Sequence, residues 1–132
     1  MKISASIDSK LNHHKISVQT SDTVKEVHIP LKPTGYGSSI NGGELLLLSL
    51  ATCFCNDIYR EAAKQNINVS GVEVDFNGEF GKDGEPGSNF TYTANVVSDA
   101  PEDVIRELIE HTDKIAEIHN TLRKGLDITL TR

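Results

Sequence analysis

The chain has two cysteines, and both lie where a leucine-rich run gives way to polar residues. The stretch NGGELLLLSLATCFCNDIYREAAKQN extends from Asn41 to Asn66 and contains Cys53 and Cys55. A thiol at such a position can pack in the core, form a disulfide, bind a metal ion or act as a nucleophile. The residues around each sulfur distinguish these roles.

Neither a disulfide nor a metal site is expected at the two cysteines. If the stretch is a regular helix, residues two apart point to nearly opposite sides, far outside disulfide geometry. A zinc site would need further thiolates or paired histidines at ligand spacing, and the five histidines of the chain match no such pattern. We therefore expect no cofactor, and we interpret the histidines as mostly solvated or capping residues.

The two thiols differ in their helical neighbours. Those of Cys55 are mostly apolar, which predicts a protonated thiol in or near the core. Those of Cys53 are leucine on one side and Asn56, Asp57 and Arg60 on the other, a setting that could leave the sulfur partly exposed. Asp57 can pair with Arg60 before the guanidinium reaches the thiol. From the residues alone a structural role is favoured for Cys53, and a reactive thiol is the alternative.

The elements that must position these thiols follow from periodicity. Alternating apolar residues predict three antiparallel strands in the first thirty residues, and the Gly- and Ser-rich segment 33–43 is expected to be a loop. Asn41 followed by Glu44 suits a capping box, so a long helix is expected from there to about Gln65. An apolar stripe should line this helix: Leu47, Leu50, Ala51, Phe54, Ile58 and Ala62.

The second half of the chain predicts two strands, a helical region and a last strand. The strands cover residues 68–80 and 89–98, and the helical region has Pro101 in its first turn and ends at Gly125. The alternating segment LDITLT, residues 126–131, is expected to close the chain as a strand. The order βββ-α-ββ-α-β predicts one α+β domain over residues 1–132.

Charge and hydropathy limit the partners. Nineteen acidic residues against thirteen basic ones give a net charge of -6, which argues against a nucleic-acid partner. No apolar run is long enough to span a membrane, and the first residues lack the apolar region of a signal peptide. Two cysteines without a secretory context indicate reduced thiols, so a cytoplasmic protein without membrane partners is expected.

The segments GELLLLSLATCF and NDIYREAAKQNINVSGVEVDFNGEF resemble the OsmC/Ohr family of thiol-dependent hydroperoxide reductases, and HTDKIAEIHNTLRKGLDITL resembles the C-terminal end of OsmC-like proteins. The resemblance implies an OsmC-like fold, with antiparallel sheets packed on a long central helix in an intertwined homodimer. The thiol pockets would lie at the subunit interface. The leucine run supports self-association independently, because a monomer would expose it to water.

The family's chemistry uses a peroxidatic cysteine, an arginine held by a carboxylate, and a resolving cysteine. The resemblance assigns Cys53 to the peroxidatic position and Glu44 to the glutamate of the OsmC-like motif. Ala116 stands where the family has its resolving thiol. The family's arginine comes from the N-terminal part of the chain, where this sequence offers only lysines such as Lys15 and Lys32.

Two functional hypotheses follow. The first is a one-cysteine organic hydroperoxide reductase with Cys53 as nucleophile, an external thiol as reductant, and Glu44, Arg60 and His119 as helpers. Each helper also has a structural alternative: a helix N-terminal carboxylate for Glu44, a pair with Asp57 for Arg60, and a capping role for His119. The second is an inactive family member that binds an apolar small molecule at the dimer interface. A scaffold role is a weaker third.

Overall fold

The computed structural model describes residues 1–131, which form two antiparallel sheets and three helices. The predicted α+β class is confirmed. The chain divides into two compact units, one formed by residues 1–44 and the other beginning at Leu45.

The first unit contains the predicted three-stranded meander. Strands β1 (Ile3–Lys10), β2 (His13–Thr20) and β3 (Thr23–Val27) pair in sequence order. Asn12 and Ser21 adopt positive φ in the two turns, in the polar segments where turns were expected. The strands are less buried than their alternation suggested.

The long helix α1 (Gly42–Lys64) begins at the predicted capping box. The Asn41 side chain accepts the Glu44 backbone N–H at 2.8 Å, and the Glu44 carboxylate accepts the Asn41 N–H at 3.0 Å. These reciprocal bonds satisfy two donors that a helix start would otherwise leave unpaired.

The core of the second unit lies between α1 and a two-stranded sheet. Strands β4 (Val69–Glu79) and β5 (Ser88–Ser98) pair antiparallel, with Phe76 opposite Tyr92. Alternate residues of both strands face the buried cluster, as period-two hydropathy requires. The cluster consists of four side chains with at most 2% exposure: Phe54, Ile58, Ala62 and Leu108. Three of these belong to the predicted stripe of α1, which is thereby largely confirmed.

The predicted second helical region is two helices. Helix α2 (Glu102–Ile115) and helix α3 (Glu117–Lys124) are separated by Ala116, whose ψ of 114° is extended. Pro101 lies just outside the first turn with ψ of 151°, so its placement inside that turn was wrong. Gly125 ends α3 with φ of 74°, a conformation that glycine adopts without strain. The break matters because it turns the first residue of α3 toward α1.

The last predicted strand is wrong for this chain. Residues 126–131 form no strand, and their alternate apolar side chains Leu126, Ile128 and Leu130 are exposed. A strand requires a neighbouring edge as well as a period of two, and within residues 1–131 no edge pairs with this segment.

Within the same residues, no helix has the length and apolar content needed to cross a bilayer.

Candidate thiol site

Cys53 lies on α1 as a half-buried thiol that donates to two carboxylates. Its Sγ is 3.6 Å from Oδ2 of Asp57, one helical turn further along α1. It is 3.7 Å from Oε2 of Glu117, the first residue of α3. The break at Ala116 therefore brings a carboxylate from a distant part of the sequence to the sulfur.

Arg60 belongs to the same cluster, where it pairs with the carboxylates next to the sulfur. Its Nη1 is 2.9 Å from Oδ1 of Asp57 and 3.4 Å from Oε1 of Glu117, and its Nε donates to Glu61 at 2.9 Å. The pair with Asp57 predicted from their spacing is present. The cluster thus contains a thiol, carboxylates and a guanidinium, with the carboxylates next to the sulfur and the guanidinium beyond them.

This arrangement disfavours the Cys53 thiolate. Burial raises the pKa of Cys53, and the negative charges of Asp57 and Glu117 raise it further, while a hydrogen bond with the Ile118 backbone opposes them. A low dielectric and nearby anions both favour the neutral thiol. Cys53 is accordingly a protonated hydrogen-bond donor at neutral pH, which differs from the depressed pKa typical of reactive cysteines.

The two carboxylates next to the sulfur have different proton affinities. Burial, followed by the neighbouring Glu117, raises the pKa of Asp57. Glu117 is 62% exposed, and its backbone hydrogen bond lowers the pKa of its carboxyl group. Because Asp57 is the buried member, it is the one that takes up a proton when the pair shares one.

The same three side chains could hold a metal ion. Ligand atoms of Cys53, Asp57 and Glu117 all lie within 4.8 Å of one another. Thiolate sulfur and carboxylate oxygen are both zinc ligands. A cation here would have to displace Arg60 from the two carboxylates.

A second group of charges surrounds Glu61 on the same helix. This buried carboxylate accepts from Arg60, Lys64 and His111, each at 2.9 Å. Hydrogen bonds from these three groups lower the pKa of Glu61 to about 2. The network holds Arg60 through its Nε and joins α1 to α2.

Within residues 1–131, the remaining residues singled out from the sequence form no hydrogen bond with the Cys53 sulfur. Glu44 is occupied in the capping box at the start of α1, nine residues before Cys53. His119 is 4% exposed on α3 and packs between aromatic rings, so the expected capping role was wrong. Cys55 is half-buried rather than in the core, and within the described residues both cysteines are free thiols.

Glu117 is the member of the thiol cluster that the sequence did not identify. It follows Ala116, the position at which the family resemblance expects a thiol close to Cys53. The position of Glu117 directly after Ala116 was the signal from which its proximity to Cys53 could have been predicted. Asp57 was identified only as a partner of Arg60, although it also accepts from the sulfur.

Comparison with known protein families gives a match over most of the chain. Residues 35–131 match the family described as OsmC-like protein. A search of curated proteins found no match to this sequence.

Three solved structures illustrate the similarity of fold. An OsmC-like protein from Mycoplasma pneumoniae is 20% identical with a TM-score of 0.64, and the match covers 91% of this chain and 87% of that one. The organic hydroperoxide resistance protein OsmC from Legionella pneumophila is 15% identical with a TM-score of 0.60, at 93% and 90% coverage. OhrB of Bacillus subtilis, an organic hydroperoxide resistance protein, is 15% identical with a TM-score of 0.58, at 96% and 94% coverage. Similarity at this identity establishes the fold alone.

Proposed function

Because this chain belongs to the OsmC-like protein family, we propose that it reduces organic hydroperoxides with Cys53 as its only essential thiol. The observation that carries the proposal is the cluster itself. A half-buried sulfur has an acceptor carboxylate at 3.6 Å, and a guanidinium is paired with that carboxylate at 2.9 Å.

The reaction needs one cysteine and two equivalents of an external thiol. The Cys53 sulfur attacks one oxygen of the hydroperoxide, the O–O bond breaks, and the products are a sulfenic acid and an alcohol. One external thiol then condenses with the sulfenic acid, releasing water and forming a mixed disulfide. A second external thiol reduces that disulfide and regenerates Cys53. Dependence on a thiol reductant fits a reducing compartment, so we place the protein in the cytoplasm in this proposal.

Each neighbour has a role in the first step. Asp57 accepts the proton that Cys53 must lose, since its raised pKa makes it the stronger base of the two carboxylates. Arg60 holds both carboxylates and can turn one of its remaining N–H groups toward a bound peroxide. Glu44 has a structural role in this proposal, because its carboxylate is engaged at the helix start.

The test is consumption of cumene hydroperoxide in the presence of dithiothreitol. We expect activity that rises with pH, because the pKa of Cys53 is raised and the thiolate is the nucleophile. Cys53→Ser should abolish it, and Cys55→Ser, a matched change two residues away, should retain it. Activity that survives Cys53→Ser, or that is never above the rate without protein, would contradict the proposal.

A second candidate is a family member without peroxidase activity that binds an apolar small molecule. The observation in its favour is the acidic environment of the sulfur, with Arg60 paired to carboxylates. The same assay separates the two functions. A folded protein that consumes no peroxide at alkaline pH, where the thiolate forms, would favour the second.

We also propose that the protein assembles as a homodimer. Apolar side chains are exposed on α1, which the family resemblance places at the interface, and also on β1 and in the last segment. Among them are Leu48 and Tyr59 on α1, Ile3 and Ile7 on β1, and the alternating residues of the last segment. A second copy would remove these side chains from water. A sedimentation mass of one chain would contradict this assembly.

A further inference from the structure

Helix α3 is a short segment with a break in the helical backbone at each end. It has eight residues, Glu117–Lys124. Ala116 before it has an extended ψ of 114°, and Gly125 after it has a φ of 74°. A helix of this length is not stable in water by itself. The position of α3 therefore depends on its contacts with the rest of the second unit.

The ion pairs that hold α3 are exposed. Glu117 pairs with Arg60 at 3.4 Å, and Arg123 pairs with Asp113 on α2 at 2.8 Å. The side chains of both pairs are at least about one-third accessible to water. Ion pairs as exposed as these contribute little to stability, so the docking of α3 depends on its buried face.

The buried face of α3 contains a polar ring that has no hydrogen-bond partner. His119 is 4% exposed, both of its ring nitrogens are sealed from solvent, and neither has a partner among residues 1–131. The ring lies 5.4 Å from Phe76 and 5.1 Å from Tyr92, nearly perpendicular to both. Contacts with aromatic rings replace only part of the hydrogen bonding that an imidazole has in water. Burial of His119 therefore opposes the docking of α3, because a buried polar group without a partner costs free energy.

The packing beneath α3 is also incomplete. A cavity of about 160 Å³ lies between α3, α1 and the two-stranded sheet, with Leu122 of α3 and Leu50 of α1 in its wall. Side chains that line such a space lack contacts that a filled core would provide. Helix α3 is accordingly held less firmly than α1, whose Phe54 and Ile58 are fully buried.

The first turn of α3 covers one side of the Cys53 sulfur. The Glu117 carboxylate is 3.7 Å from Sγ, and the Ile118 backbone forms a hydrogen bond with the same sulfur. Both partners belong to α3, so they leave the sulfur only when this helix moves away.

We propose that α3 is an autoinhibitory lid over Cys53, which opens by local unfolding between Ala116 and Gly125, and that the unpaired ring of His119 keeps the closed lid only weakly favoured. Segments with few firm contacts open locally without unfolding of the whole domain. Opening takes Glu117 and Ile118 away from the sulfur and admits reagents too large to reach it in the closed state. The inference concerns access to Cys53 and does not rest on peroxide reduction.

The first test is hydrogen exchange of the backbone amides of residues 120–124, measured by NMR at increasing urea below the unfolding transition. In wild-type protein we expect these amides to exchange at rates that do not depend on urea, and the amide of Ile58 in α1 to exchange more slowly and with a steep urea dependence. His119→Leu removes the unpaired polar group, so it should slow exchange of the α3 amides by about tenfold.

The second test is labelling of Cys53 in a Cys55→Ser background with two reagents of different size, pyrene maleimide and iodoacetamide. We expect His119→Leu to slow the reaction with pyrene maleimide by the same factor as exchange of the α3 amides. Iodoacetamide should react at nearly the same rate in both proteins, because Cys53 is half-buried and within reach of a small reagent in the closed state. His28→Leu, the same substitution at an exposed histidine of β3's flank, should change none of these rates.

Three results would overturn the proposal: α3 amides that exchange as slowly as that of Ile58 in wild-type protein, exchange that is not slowed in His119→Leu, or labelling by pyrene maleimide that does not follow exchange of the α3 amides. If His119→Leu does not fold, the urea dependence in wild-type protein and the matching substitution His119→Phe decide the question. Loss of peroxide reduction in the earlier assay leaves these results unaffected, since neither measurement uses a peroxide.

Discussion

Replacing Glu117 by glutamine should make Cys53 more reactive. The substitution removes one negative charge 3.7 Å from Sγ and keeps a side chain of nearly the same shape. Arg60 retains its 2.9 Å pair with Asp57, so the cluster should remain assembled. The variant therefore isolates the charge of one carboxylate.

The size of the effect follows from distance and exposure. Glu117 is 62% exposed, so the dielectric constant of water is the appropriate choice, and two unit charges at 3.7 Å then interact by about 1 kcal/mol. Relief of that repulsion should increase the thiolate fraction at neutral pH by about fivefold. A lower effective dielectric constant between the two charges would make the effect larger.

The assay is the rate of alkylation by iodoacetamide as a function of pH. It is made in a Cys55→Ser background, because Cys55 is also half-buried and free. The control is Glu107→Gln, which neutralises an exposed carboxylate on α2. We expect the alkylation midpoint of Glu117→Gln to move to lower pH and that of the control to stay in place. An unchanged or slower rate at neutral pH, or an equal change in the control, would refute the assignment of Glu117 as an anion that suppresses the thiolate.

Two further predictions concern the helix that carries the thiol. Phe54→Ala should destabilise the fold by about 3–5 kcal/mol in urea denaturation because Phe54 is fully buried, whereas Thr52→Ala, at an exposed position of the same helix, should cost less than about 0.5 kcal/mol. Similar costs would contradict the described core. In the folded protein the pKa of Glu61 is about 2, below the ordinary value of 4.5. The stabilisation by its ion pairs is therefore complete above pH 4.5 and is lost as the pH falls from 4.5 toward about 2. Glu61→Gln should therefore be less stable than wild type at neutral pH, and this difference in stability should disappear in acid. A difference between the two urea midpoints that stays constant on acidification would contradict the prediction.

Local patterns predicted most elements of the fold. The capping box at Asn41 and Glu44, the apolar stripe of α1 and the first five strands all depend on side chains that are neighbours along an element. Two errors share one cause. The break at Ala116 and the unpaired last segment depend on contacts with distant parts of the fold, which periodicity does not contain.

The candidate site was only partly predictable. Cys53 and the pair of Arg60 with Asp57 lie on one helix, so their spacing was sufficient. Glu117 is 64 residues from Cys53 along the chain, and only the turn between α2 and α3 brings its carboxylate to the sulfur.

By itself the sequence determined the α+β class, the helix that carries both thiols and the resemblance to a family of thiol proteins, because each depends on residue type and short-range order. The tertiary structure alone decided the protonation of Cys53 and the burial of His119. A pKa depends on charges and solvent within a few ångströms, and those neighbours come from elements far apart in the chain.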